Sequence, residues 1–173
     1  MPLLGEVKMN VELVTAYLCL GSNMGDRREN IDKALEYISQ KLRVTEKSSV
    51  YDTEPVGNPE QPHFLNMVCQ IKTMLKAADL LVLAKAIEQK LGRMPGRPNS
   101  PRPIDIDILF YGDEVIKTPE LTIPHPRLTQ RAFVLIPLAE IAPALIHPVK
   151  KKTANELLKE LKKGVQGVLK LED

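Results

Sequence analysis

The stretch Arg102-Pro-Ile-Asp-Ile-Asp-Ile-Leu-Phe110 sets two carboxylates, Asp105 and Asp107, into an otherwise apolar, β-branched run. A strand alternates its side chains, so both carboxylates leave one face, roughly 6.6 Å apart along the backbone at about 3.3 Å per residue. Ile104, Ile106 and Ile108 take the opposite face and can enter a core. Two adjacent anions on a half-buried strand repel each other and are costly to desolvate, so positive charge is expected between them. With no His or Cys in the pattern, a hard oxygen-seeking cation such as Mg²⁺ suits the pair better than zinc.

Immediately upstream, Arg93-Met-Pro-Gly-Arg-Pro-Asn-Ser-Pro-Arg-Pro103 holds Arg93, Arg97 and Arg102 and no acid. Guanidinium groups bind phosphate oxygens through paired hydrogen bonds, and a carboxylate-bound Mg²⁺ would hold the same phosphates from the other side. Together the two segments describe a polyphosphate site. Four prolines and the lack of apolar anchors make residues 93–103 read as a lid that orders over its ligand. Gly21-Ser-Asn-Met-Gly25 lacks both the spacing and the Lys of a Walker-type phosphate loop, so nucleotide binding must come from elsewhere.

The elements that must position these groups follow from periodicity. Thr15–Leu20 reads as a buried strand. Asn23 or Asp26 can cap the helix that follows, whose Ile31, Ala34, Leu35, Ile38 and Leu42 keep helical spacing. Val44–Asp52 reads as one strand, and residues 53–63, with three prolines and Gly57, as a loop. From Phe64 to Met74 the chain alternates, with Leu65, Met67, Cys69 and Ile71 on one face and Phe64, Asn66, Val68 and Gln70 on the other. A helix from Ala77 to Leu91 stops at Gly92, and the Asp-pair strand comes next. The order βαββαβ predicts an α+β, ferredoxin-like antiparallel sheet with helices on one face, extended by a C-terminal hairpin and helix. The hairpin is expected around Gly112-Asp-Glu, and Thr153-Ala-Asn-Glu156 is a capping box for the last helix.

At 173 residues the chain fits a single domain, taken as residues 13–173 after a tail of residues 1–12. A net charge of +2 supplies no global field for nucleic acid or a membrane surface, and 4% aromatic content with no Trp gives no base-stacking pattern. Cys19 and Cys69 lie in apolar runs, as two buried thiols in a reducing compartment would. With His63, His125 and His147 they form no zinc-ligand spacing. No apolar run reaches the roughly 20 residues of a membrane span, and the start lacks a secretory pattern, so a cytoplasmic protein is expected.

Gly21-Ser-Asn23, Thr53-Glu-Pro-Val-Gly57, Gln61-Pro-His-Phe-Leu-Asn66, Pro101-Arg-Pro-Ile-Asp-Ile-Asp107 and Leu121-Thr-Ile-Pro-His-Pro-Arg-Leu-Thr-Gln-Arg-Ala-Phe-Val134 together resemble the hydroxymethyl-dihydropterin pyrophosphokinases of folate biosynthesis, in that family's order, over about residues 15–148. The resemblance implies a ferredoxin-like fold and transfer of pyrophosphate from MgATP to the hydroxymethyl group of the pterin, with ATP as co-substrate and two Mg²⁺ ions. It matches Asp105 and Asp107 to metal ligands and Arg93 and Arg102 to arginines on phosphate. Glu88, Arg97, Ile108, Thr122, His125 and Arg131 fall on the nucleotide side. Phe64, Asn66, Phe133 and the backbone of Thr53, Pro55 and Val56 fall on the pterin side. The partners implied are those small molecules and neighbouring folate enzymes. Two departures stand out: Glu54 replaces a proline, and the loop before the aspartates lacks the family's Trp and is shorter by about a residue. A two-metal phosphohydrolase would also explain the aspartates and arginines, and a non-catalytic ferredoxin-like module would explain the fold.

Overall fold

In the computed structural model, residues 12–55, 60–92, 102–161 and 167–171 are described. Strand β1 (Val14–Ser22) is buried on both faces along most of its length, which suits the centre of a sheet. It pairs antiparallel with β4 (Phe64–Thr73) on one side and with β5 (Asp105–Tyr111) on the other. Beyond β4 lie β3 (Tyr51–Thr53) and then β8 (Val168–Lys170), with β2 (Arg43–Lys47) pairing farther along β4.

The two crossover helices lie on one face, as the βαββαβ order predicts. Helix α1 (Arg27–Lys41) is capped by Asp26, whose carboxylate accepts from the Glu29 amide, and it buries Ile31, Ala34 and Ile38. Helix α2 (Ala77–Lys90) buries Leu80, Ala84 and Ile87 and gives way to Gly92 at a φ of 96°. These residues meet Leu18, Leu20, Leu65, Met67, Cys69, Ile71, Ile104, Ile106 and Ile108 in a first core.

The C-terminal extension covers part of the other face. Helix α3 (Ala132–Ile141) and the capping-box helix α4 (Ala154–Glu160) pack Val134, Leu135, Leu138, Ala154 and Leu157 on Tyr17, Cys19, Val68, Leu109 and Phe110. The register between β1 and β5 slips at Tyr17/Leu18, so Leu109 is an extra residue and Leu109 and Phe110 both turn to this second core. The bulge lets one short strand serve a site at one end and a core at the other.

Several expectations are revised. Val44–Asp52 is two strands, because Ser48 stays on β4 through paired bonds with Val68 while the amide and hydroxyl of Ser49 turn away to donate to Glu140. The hairpin lies one turn later than Gly112: Gly112, at a φ of 53°, only closes β5, and β6 (Ile116–Lys117) pairs with β7 (Thr122–Ile123). Helix α3 and strand β8 were not foreseen. Pro137 lies inside α3, where a missing N–H reads as a helix breaker, and β8 is three residues long.

Glu140 ties α3 to the β3 segment, accepting from the Tyr51 hydroxyl at 2.7 Å as well as from Ser49. Burial would raise its carboxyl, but these hydrogen bonds hold it below the usual glutamate range. A depressed folded value stabilises the protein above the unfolded glutamate range and is lost as pH falls through the folded one. Glu140→Gln is therefore expected to cost about 1 kcal/mol at pH 7, with the gap to wild type closing under acid conditions. Thermal melts at both pH values measure this, and a gap independent of pH would mean that the carboxylate charge is not what matters.

Candidate active site

On the second face, α3 and α4 leave one end of the sheet uncovered. Residues directly opposite one another form a row across three strands: Asp105 on β5 lies beside Gly21 on β1, and Gly21 beside Asn66 on β4. At about 4.8 Å per strand, the carboxylate end and the amide end of the row are roughly 10 Å apart at the backbone. Asp107 lies beside Cys19 in the next row of that face, and Thr53 of β3 lies beside Phe64. Helix α3 contributes a wall through Arg131 and Phe133. Among the described residues the cleft is lined by Cys19, Gly21, Thr53, Glu54, Gln61, Phe64, Asn66, Arg102, Asp105, Asp107, Arg131 and Phe133, around some 550 Å³ of open space.

One half of the cleft is suited to a flat polar ring. Asn66 is buried, and its Nδ2 donates to the Thr53 hydroxyl at 2.6 Å, which fixes which way the amide points. Phe64 and Phe133 add aromatic surface. Gly21 forms the floor because nothing larger fits: a Cβ there would lie 2.5 Å from Asn66 Oδ1 and 3.4 Å from the Phe64 ring.

The other half is electrostatic. Burial first, and Asp105 second, push the Asp107 carboxyl above its usual range, and Arg131, Lys85 and Arg102 oppose the shift. Arg102 Nε donates to Asp105 at 2.7 Å while its guanidinium lies 5.4 Å over the Phe64 ring. Arg131 lies 5.4 Å over Phe133, and its burial is offset by the attraction of Asp107. Arg102 thus spans from an aspartate to an aromatic ring. Among the described residues no three His, Cys, Asp or Glu side chains gather around one point, so any metal here draws on the two aspartates and on ligand oxygens.

Asn23, only 1% exposed, joins the two halves. Its Nδ2 donates to Gln61 Oε1 at 2.7 Å and to the Pro62 carbonyl at 3.3 Å, its Oδ1 accepts from the Arg102 amide at 2.7 Å, and its own amide donates to the Arg102 carbonyl. Asp26 takes the capping role, which frees Asn23 for this bridge. Sequence reasoning assigned no role to Asn23 beyond a cap, or to Gln61. The signal available was a polar Gly-Ser-Asn directly after a fully buried strand.

Of the residues expected in a site, Thr53, Phe64, Asn66, Arg102, Asp105, Asp107, Arg131 and Phe133 converge on the cleft. Thr122 and His125 are not among its lining residues; they belong to β7 and the turn after it, where the His125 amide donates to the Leu109 carbonyl. His125 Nδ1 accepts from the Arg127 amide, which leaves Nε2 to carry the proton, and burial with the nearby Arg131 and Arg127 lowers its pKa to about 4. It is a neutral donor at physiological pH. Two residues sit differently from their expected places. The Ile108 side chain enters the first core, as its parity opposite to Asp107 requires. Glu88, 2% exposed, turns inward, accepts from the Ile106 amide at 2.7 Å and meets Lys85 at 3.3 Å. It therefore grips the backbone between the two aspartates. Pro55 follows Glu54 at the rim, half-buried. Val56, Arg93, Arg97 and the expected lid over 93–101 lie outside the described residues.

The molecule is thus a ferredoxin-like α+β sheet that presents a carboxylate pair and arginines, groups suited to a polyphosphate, beside an aromatic and amide pocket suited to a flat ring. Residues 17–143 match the family described as 7,8-dihydro-6-hydroxymethylpterin-pyrophosphokinase. The chain is 44% identical over 148 residues to the 2-amino-4-hydroxy-6-hydroxymethyldihydropteridine pyrophosphokinase of Aquifex aeolicus, covering 86% of this chain and 92% of that one. It is 47% identical over 128 residues to the Bacillus subtilis protein of the same name, covering 73% and 77%. A folic acid synthesis protein of Dictyostelium discoideum is 41% identical over 86% of this chain, which spans only 22% of that longer protein. The solved structure of wild-type Plasmodium falciparum HPPK-DHPS with pteroate superposes with a TM-score of 0.70 at 20% identity, covering 86% of this chain and 42% of that one, and supports the fold. The chain belongs to the 7,8-dihydro-6-hydroxymethylpterin-pyrophosphokinase family.

The raised Asp107 carboxyl has a consequence for stability. The folded state binds more protons than the unfolded chain between the usual aspartate range and the raised value, so stability falls as pH rises through that window. Without divalent cations, Asp107→Asn is expected to melt above wild type at pH 7, by about 2–4 °C for each kcal/mol relieved. The difference should vanish once pH drops below the usual aspartate range. A lower melting temperature at pH 7 would mean that losing the partner of Arg131 outweighs the relief.

Proposed function

We propose that this cleft is where the chain carries out its family's reaction: transfer of pyrophosphate from ATP to the hydroxymethyl group of 6-hydroxymethyl-7,8-dihydropterin, giving AMP and the pterin diphosphate for folate synthesis. The observation that carries the assignment is the row Asp105–Gly21–Asn66, which sets a carboxylate end and an amide end side by side on one sheet face. The hydroxymethyl oxygen forms a bond to the β-phosphorus while the bond from that phosphorus to the α,β-bridging oxygen breaks. Such a displacement relies on alignment and charge neutralisation more than on a strong base.

The pterin lies against Phe64 and Phe133 with its polar edge on the Asn66 amide and on the backbone of Thr53 to Val56. Asn66 is preorganised by Thr53 for this, so little rotamer freedom is lost on binding. Arg102 and Arg131 exchange part of their pairing with the aspartates for phosphate oxygens, joined by Arg93, Arg97 and the neutral His125. Glu88 acts by holding the aspartate strand in register, while Thr122 and the backbone at Ile108 border the nucleotide. Asp105 and Asp107 fit two Mg²⁺ ions, because a raised carboxyl beside a second carboxylate is a site that gains from added positive charge. Bound there, the metal would neutralise the phosphates.

Residues 13–173 act as one domain behind a short tail, and the two buried, free thiols Cys19 and Cys69 accord with a cytoplasmic setting. Among the described residues no helix is long and apolar enough to cross a membrane. Longer relatives named for folic acid synthesis make a neighbouring enzyme of that synthesis the expected recipient of the product.

Incubation with MgATP and the hydroxymethyl pterin tests the reading: AMP and pterin diphosphate are expected in equal amounts, and release of inorganic phosphate alone would overturn it. Asp105→Asn and Asp107→Asn are each expected to remove most turnover with the fold intact. Asn66→Ala should weaken pterin binding by about 1–3 kcal/mol, since ring donors and acceptors lose a partner, while leaving ATP binding nearly unchanged. Equal losses for both ligands in calorimetry would return Asn66 to a structural role.

A further inference from the structure

We infer that the C-terminal strand β8 is a positioning element for the pterin half of the cleft. The inference rests on the assignment of Thr53 and Asn66 to pterin binding. Strand β8 lies beyond the residues matched by the family, which end at 143. It is the outer neighbour of β3, with Tyr51 opposite Lys170, Asp52 opposite Leu169 and Thr53 opposite Val168. The ladder extends past the strand at both ends: the Glu54 amide donates to the Gly167 carbonyl at 3.0 Å and the Leu171 amide to the Val50 carbonyl at 2.9 Å. The Glu54 side chain lies against Gly167, where a Cβ would fall 2.3 Å from Glu54 Oε1.

A strand of three residues at a sheet edge frays readily, and β3 without β8 would be such an edge. Its last residue is Thr53, whose hydroxyl holds the Asn66 amide in one orientation, and Glu54 follows on the cleft wall. Fraying would release the amide to rotate and would loosen the backbone that faces the ring edge. The phosphate end stands on β5, at the far side of the sheet order β5–β1–β4–β3–β8, and does not share this dependence. Pairing by β8 thus preorganises pterin binding and leaves nucleotide binding alone.

Leu169 gives a clean test, since its side chain is 68% exposed and its amide faces Asp52 in the ladder, two residues from each flanking hydrogen bond. Leu169→Pro removes that N–H, and truncation before Gly167 removes the strand; Leu169→Ala keeps the ladder. In the presence of a saturating non-hydrolysable ATP analogue, the proline and truncated proteins are expected to bind the hydroxymethyl pterin about tenfold more weakly, the net scale of one hydrogen bond, with Leu169→Ala like wild type. Their affinity for the ATP analogue should stay unchanged. By reciprocity, pterin bound to the unaltered protein should slow amide exchange at Leu169 and Leu171, and the ATP analogue alone should not. Wild-type pterin affinity in both altered proteins, equal loss of both ligands, or β8 exchange indifferent to pterin would overturn the inference. Asn66→Ala serves as the reference: if wild type and Asn66→Ala bind pterin alike, the site assignment itself fails, whereas loss in Asn66→Ala alone rejects only the role of β8.

Discussion

Two carboxylates two residues apart on one buried strand face are the constraint to which the rest of this molecule answers. Their repulsion and desolvation push Asp107 above its usual range, and an unaided pair would disfavour the fold that holds it. The surroundings reply from three directions. Arg102 comes from the residues just before the strand, Arg131 from the start of α3, and Glu88 from α2 clamps the Ile106 amide between the two aspartates. Glu88 is a third buried carboxylate, bonded to the Ile106 amide and paired with Lys85, and it holds the strand where register matters most. Strain of this kind is expected at a binding site, where charge is completed by the ligand.

The same parity that gathers the aspartates also divides the sheet face. Leu109 shares the parity of Asp105 and Asp107, and Phe110 joins that face only because the bulge near Leu109 inserts one residue. Without it Phe110 would turn to the first core and the second core would lose its largest fully buried side chain. On β1 the division falls between Cys19, which touches both regions, and Gly21, which must be bare for Asn66 to fit. A cleft and a core thus share a sheet face, with the boundary set by one bulge and one glycine.

Much of this arrangement was readable from residue types because the pieces are short-range and periodic. The Asp-Ile-Asp alternation, the parity of Phe64 and Asn66, the helix stripe from Leu80 to Ile87 and the Thr153 capping box each need only a few neighbouring residues to be recognised. What escaped depends on distant partners. Glu88 looks like a solvated surface acid until the Ile106 amide is placed beside it, and Asn23 looks like a cap until Gln61 and Arg102 arrive from opposite directions. Strand β8 has no signature of its own, since three residues acquire strand character only by finding β3. Helix α3 was obscured by Pro137, whose local preference is overridden by the burial of Val134, Leu135 and Leu138.

The contrast between the two ends of the cleft bears on how they behave toward ligands. The proposed pterin end is built from backbone ladders, a glycine floor and an amide already fixed by Thr53, so its geometry exists before any ring arrives. The proposed phosphate end is built from arginines that lie over aromatic faces, Arg102 also paired with Asp105, and these contacts would be exchanged for phosphate oxygens. Asn23 connects the two through hydrogen bonds on both sides, so the Gln61–Pro62 segment and the Arg102 backbone cannot move far independently. The two ends therefore share one buried, hydrogen-bonded residue, which is the physical condition for ligands at either end to influence each other's binding.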